Sequence, residues 1–195
     1  RYPDFSGRIH CKKGSFHIWD APDDFEEVDM DLLFENDRMH FHSATGYYGA
    51  VPVSAVGDMS LDPNGDIRIV AHCDGVEVNA LRETLAAKPL PYSAAGTISG
   101  TLHVTGESER PVYTGTAVAT YPKEERSADA PRTVAQETLE ETGGVGAYDK
   151  VPFKSASGVF TFDTKSQKLH MHHFNAETVG GGEITGSGRV WCEPG

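Results

Sequence analysis

Apolar residues recur at every second position along most of this chain, with polar or small residues between them. Side chains of a strand point to opposite faces in turn, so a period of two predicts β-strands with one dry face. Met30, Leu32 and Phe34 form one such set, and Met39 and Phe41 follow after a turn at Asn36-Asp37-Arg38. His40 and His42 point the other way. Val51, Val53 and Ala55 alternate, and Ile67, Ile69, Ala71 and Cys73 do so after Leu61 and Asp62-Pro63-Asn64-Gly65-Asp66. Asn-Gly between alternating runs predicts a hairpin, because both residues tolerate positive φ. Ile98, Leu102 and Val104 continue the habit, then Phe160 and Phe162, then Leu169 and Met171.

Helix is scarce. Val78, Leu81 and Leu85 have helical spacing, Asn79 is a candidate N-cap, and Pro89 and Pro91 stop the element. A weaker helical pattern covers 131–141, with Pro131 at a first-turn position. It lies inside 121–150, which is polar, acidic and closed by Gly143-Gly144-Val145-Gly146. This span reads as a partly disordered surface insertion. The expected organisation is a curled sheet over 1–120, the insertion over 121–150, and the same sheet resumed over 151–195.

A loose repeat runs through the pattern: apolar strand, polar turn, apolar strand, small residues, strand. Residues 34–53 give one copy and 160–188 another, and Gly96-Thr-Ile-Ser-Gly100-Thr-Leu-His-Val-Thr-Gly106 has the same style. Such repeats suit a sheet that grows along one axis. A closed sandwich accounts for the alternation equally well.

Composition narrows the functions. The 17 basic and 29 acidic residues leave a formal charge of -12, which opposes binding to nucleic acid or to anionic headgroups. No apolar run is long enough to span a bilayer. Arg1-Tyr2-Pro3-Asp4 reads as no signal peptide, so the expectation is a removed targeting segment or an internal piece. Cys11, Cys73 and Cys192 are too few and too scattered for a disulfide framework, and free thiols are expected.

Candidate chemistry is thin. His170 and His172, with His173 beside them, share an i, i+2 spacing with His40 and His42 that suits a metal, but a strand with one wet face yields the same pattern. Asp62 to Asp66 resembles half a calcium loop whose distal ligand position falls on Cys73, so a hairpin is the better reading. Asp20, Asp23, Asp24, Glu26, Glu27, Asp29 and Asp31 form an acidic run that fits a solvated strand edge. No G-x-S-x-G elbow is present, and Gly180-Gly181-Gly182-Glu183 lacks the lysine of a phosphate loop. These glycines are expected to relieve crowding at a sheet bend or bulge. No catalytic residue, cofactor or metal ligand is assigned.

Gly96-Thr-Ile-Ser-Gly100, Leu102-His-Val-Thr-Gly106 and Pro111-Val-Tyr-Thr-Gly115 resemble the repeat style of the TamB and AsmA-like inter-membrane proteins. Longer blocks resemble the chloroplast branch of that family, inner-envelope proteins that bridge the Toc and Tic import translocons. These blocks are Phe16-His-Ile-Trp-Asp20-Ala-Pro-Asp-Asp-Phe25, Met30-Asp-Leu-Leu-Phe34, Gly46-Tyr-Tyr-Gly-Ala-Val-Pro52, Gly75-Val-Glu-Val-Asn-Ala-Leu81, Lys150-Val-Pro-Phe153, and Gly181-Gly-Glu-Ile-Thr-Gly186 leading to Val190-Trp-Cys192. The likeness runs from about Phe5 to the end and leaves out 121–147.

The resemblance implies an all-β fold: an elongated, curled, antiparallel-rich sheet forming an open trough, apolar inside, with one or two short helices. It implies an internal fragment of a plant or green-algal protein of the chloroplast envelope intermembrane space, the whole protein anchored in the inner envelope membrane. It also implies a non-enzymatic tether supporting preprotein translocation. The implied partners are the POTRA domains of an outer-envelope barrel channel, inner-envelope translocon subunits and preproteins in transit. The alternative function is a trough for lipid transfer between the two membranes. A third is an acidic surface that binds basic transit peptides. The residues expected to line the trough are Phe34, Met39, Phe41, Ile67, Ile69, Leu102, Val104, Phe160, Phe162, Leu169 and Met171.

Overall fold

A computed structural model describes residues 6–18, 22–62, 64–84, 93–94, 96–120, 146–148, 151–166 and 168–191. The strands are β1 (Gly7–Phe16), β2 (Phe25–Glu35), β3 (Arg38–Tyr48), β4 (Val51–Ser60), β5 (Asp66–Glu77), β6 (Ser93–Ala94), β7 (Thr97–Glu107), β8 (Arg110–Thr120), β9 (Gly146–Tyr148), β10 (Val151–Asp163), β11 (Lys168–Thr178) and β12 (Glu183–Trp191). One helix, α1 (Val78–Thr84), follows β5. Ten strands pair side by side in chain order, β1-β2-β3-β4-β5-β7-β8-β10-β11-β12, and each pairing is antiparallel. The short β6 and β9 pair with one another off this path, and β9 also pairs with β10. β1 and β12 each have one partner strand, so the sheet is open rather than a closed sandwich. Nine inter-strand steps of about 4.8 Å give it a reach of roughly 43 Å across the strands.

β8 pairs directly with β10, so the sheet continues unbroken past 121–145. The predicted helix over 131–141, Leu85 and Cys192 lie outside the described residues, as does most of the insertion. α1 begins at Val78, which places Asn79 inside its first turn and not at the cap. The β4–β5 hairpin forms where Asn64-Gly65 predicts it, but Gly65 has no positive φ. It donates its N–H to the Asp62 carbonyl at 2.8 Å, and its close packing on Ser60 leaves no room for a Cβ. Positive φ occurs instead at Asn36, in the β2–β3 turn. Gly180, Gly181 and Gly182 form the β11–β12 turn, closed by Gly181 N–H on Thr178 O at 3.0 Å, and not a bulge within a strand.

Bulges carry the curl. Between Cys11 and Gly14, Phe41 and Ala44, Cys73 and Val76, and Met171 and Phe174, one strand advances three residues while its partner advances two. Each extra residue reverses the side-chain parity, so the apolar set moves from odd to even numbers yet stays on one face. A bulge also bends and twists its strand. Lys13 and Gly75 sit in such bulges with φ of 52° and 62°. The two sequence repeats share the device: β3 is bulged after Met39-His-Phe41-His42, and β11 after Leu169-His-Met171-His172.

Candidate functional site

Directly paired residues of antiparallel strands share a face. Following the register gives one row across all ten strands: Ile9, Leu32, Phe41, Gly57, Ile69, Val104, Tyr113, Phe162, Leu169 and Val190. The next row toward the β1–β2 connection is Cys11, Met30, Ala44, Ala55, Ala71, Leu102, Gly115, Phe160, Met171 and Gly188. On the other side, Phe34, Met39, Met59 and Ile67 form a shorter row. The eleven residues expected to line a trough therefore lie on one face, in three adjacent rows, and each is half-buried. No position in these rows carries a charged side chain.

The rows differ in bulk. Phe, Ile, Leu, Val and Tyr dominate the first, whereas alanine and glycine fill much of the second. Phe160 lies across Gly115, where an added Cβ would stand 2.5 Å from its ring. Tyr113 and Phe162 stack at 6.3 Å, and burial pushes the Tyr113 phenol above its ordinary pKa. At the far end Phe16, Phe25 and Tyr48 stack at 5.0 and 4.7 Å. There α1 packs against β4 and β5, and Thr84 Oγ1 accepts the Ala50 N–H at 3.1 Å. Val51, Val76 and Thr84 are buried at this cap. Elsewhere the face is open: among the described residues no large side chain is fully buried.

Tyr113, Met59, Phe174 and Ile9 are absent from the expected lining. Tyr113 stands two residues before Gly115, in phase with it, so the alternation contained the signal. Phe174 was hidden by the β11 bulge, which breaks the period after Met171.

The opposite face carries the ion pairs and most of the polar side chains, with Val56, Val70, Val118 and Val159 exposed among them. Arg8 makes a bidentate contact with Asp31, and His10 lies 3.3 Å from the same carboxylate. The Arg8 hydrogen bond holds the Asp31 carboxyl below its usual pKa. Arg38 bridges Asp58 and Asp66, and Arg68 adds a second bond to Asp66 at 2.8 Å. Asp66 is thus occupied by arginines. Asp29 Oδ1 accepts the Lys13 N–H at 2.8 Å in the β1 bulge. His170 and His172 bring their ring centroids to 4.1 Å, and His172 Nε2 meets Thr161 Oγ1 at 2.8 Å. Among the described residues no three His, Cys, Asp or Glu gather as a metal site. Cys11 and Cys73 are free thiols. A shallow cavity of about 450 Å³ lies near β12, lined by residues including Val118, Ser157, Asn175, Glu177 and Glu183. Its carboxylates are held by Lys154 and Asn175.

Among the described residues the arrangement offers an extended apolar surface on a frame with two free edges. No described helix is long and apolar enough to cross a membrane.

Over 99% of its length the chain is 34% identical to "Protein TIC236, chloroplastic" of Arabidopsis thaliana. Over the same share it is 32% identical to "Protein SUBSTANDARD STARCH GRAIN 4, chloroplastic" of Oryza sativa subsp. japonica. The chain spans 9% of the length of each. No family model and no solved structure matches it.

Proposed function

We propose that this chain, a segment of a TIC236-like chloroplast protein, serves as one length of a tether in the envelope. The whole protein would be anchored in the inner envelope membrane and cross the intermembrane space. It would link the outer-envelope barrel channel to inner-envelope translocon subunits and so support preprotein import. The observation that carries this reading is the linear strand order with a free edge at each end. A sheet of this kind gains length with each hairpin added and transmits load through ladders of backbone hydrogen bonds. This segment alone accounts for roughly 43 Å of reach.

The test is made in the full-length protein. Removing this segment, with the flanking chain rejoined, is expected to reduce both preprotein import and co-purification of the outer barrel channel with the inner translocon. Unchanged import and unchanged co-purification would refute the tether.

A second reading has its own observation: the uncharged, half-exposed face that runs across all ten strands. An apolar surface of this extent on a soluble frame commonly marks a binding site, and acyl chains fit its chemistry. Phe41, Ile69 and Phe162 fall in one cross-strand row. Native mass spectrometry with lipid extraction, on this segment joined to its flanking repeats, separates the readings. Stoichiometric phospholipid or galactolipid, lost when these three become Asp in a still-folded protein, favours a lipid conduit. A folded, lipid-free protein favours the tether, with the trough acting as a core.

A further inference from the structure

The two sequence repeats carry the same His-x-His bulge in different electrostatic settings. In the first, Asp31 of β2 lies beside His10 and His42 and is bonded by Arg8. In the second, Val159 of β10 pairs with His173, and no acid stands where Asp31 does. β12 instead places Arg189 directly opposite His170, about 5 Å away between Cβ atoms. Arg189 pairs with no carboxylate among the described residues. The Thr161 hydroxyl completes the group, 2.8 Å from His172 Nε2 and 3.3 Å from the Thr114 hydroxyl. A cation between the imidazoles would meet Arg189 and find no third ligand among the described residues. An anion beside His170 would meet the Arg189 guanidinium, the His170 imidazole and the ring nitrogen of His172 that Thr161 leaves unengaged, with Thr161 fixing the His172 ring.

We infer that His170, His172, Arg189 and Thr161 form a binding site for a tetrahedral oxyanion, a phosphate or sulfate group, on the polar face of β10, β11 and β12. A guanidinium with neighbouring imidazole N–H donors is the usual recognition chemistry for such a group. The groups that bear on its charge are Lys168, His172 and His173 on β11, Arg189 on β12, and Asp163 on β10, which pairs in register with Lys168. Without an anion, desolvation and the neighbouring His172 and Arg189 hold His170 below the ordinary histidine pKa. A bound anion reverses that balance, so binding takes up protons and strengthens as the pH falls through the histidine range. The site stands independently of the tether reading.

Histidine ring NMR signals of the 195-residue chain, titrated with sodium sulfate at about pH 6 and about pH 8, test it. Sulfate is dianionic at both, so any pH dependence belongs to the protein. Movement of the His170 and His172 signals is expected, with affinity about tenfold higher at the lower pH. Arg189→Gln and His170→Gln are each expected to weaken binding about fivefold or more while leaving the circular dichroism spectrum intact. Vesicles carrying phosphatidic acid, against phosphatidylcholine alone, identify the source of the group. Preferential binding to the former assigns a lipid headgroup, and sulfate binding without vesicle binding assigns a soluble anion. The inference is overturned if neither probe binds, if Arg189→Gln titrates like the parent, or if zinc moves the two imidazoles while sulfate does not.

Discussion

At the scale of single residues, close strand approach sets the strictest demands. Gly57 has a φ of +148° and lies against β5, where a Cβ would stand 2.1 Å from the Arg68 carbonyl oxygen. Backbone cannot yield as a flexible side chain can. Gly57→Ala is therefore expected to cost about 2 kcal/mol or more, lowering the melting temperature by roughly 4 °C or more. Gly115 differs, because its neighbour is the Phe160 ring, a side chain that can swing aside about its Cα–Cβ bond. Gly115→Ala should cost less than Gly57→Ala, and equal losses in thermal melts would show that the two sites are not distinguished in this way. Charged pairs add a pH term. Asp31, Asp66 and Asp163 are held below the ordinary carboxylate pKa, by Arg8, by Arg38 and Arg68, and by Ser166 respectively. A carboxylate with a depressed folded pKa stabilises the protein above its unfolded pKa, and that contribution is lost as pH falls below about 4. Melting temperature is expected to drop as pH falls from about 4 toward 2, and the drop should shrink in Asp66→Asn.

At the scale of elements, the question is how a period of two survives over strands this long. It survives by interruption. The sequence shows Met39 and Phe41 on odd positions, and then Ala44, Gly46 and Tyr48 on even ones. Read without structure, that is a fading strand. The register shows one strand with an added residue, its apolar set still on the same face. This is why the strands and the part of the lining that precedes each bulge were readable from alternation, whereas Phe174 and the bulges were not. Twist and bulging arise from partner strands, and a single chain segment carries no mark of its partner's register. The same limit applies to Asn64-Gly65. The pair marks a hairpin correctly, but the turn is set by the Asp62 carbonyl and the packing of Ser60. The His170, His172 and Arg189 group was half legible: the histidines stood out by spacing, but Arg189 joins them only through β12 pairing. Deleting Ser43 would test the bulge account. It removes one residue from β3 and should turn either Met39 and Phe41 or Ala44 and Tyr48 to the polar face. Loss of the cooperative thermal transition is expected, against little change for Ser43→Thr.

At the scale of the molecule, neither edge strand has a second partner strand among the described residues. β12 reads Glu-Ile-Thr-Gly-Ser-Gly-Arg-Val-Trp over Glu183–Trp191, with no proline and no inward charge. An edge of this length and composition is a template for another strand. β1 carries Arg8, His10, Lys12 and Lys13 and is the better guarded of the two. Since the chain spans 9% of the length of its relatives, the adjoining chain in the whole protein is the natural partner for each edge. Two consequences can be measured together. As an isolated segment, the protein should self-associate with rising concentration, and Thr185→Pro, which removes a donor from the β12 backbone, should reduce that association more than Ile9→Pro in β1. In a longer stretch that includes the next segment on the C-terminal side, backbone amides of β12 should gain protection from hydrogen exchange relative to the isolated segment, while those of β4 and β5 in the centre stay unchanged. Equal protection of β12 in both would mean that the sheet ends at Trp191 and does not continue into its neighbour. A tether built from this sheet would then need a different joint at that edge.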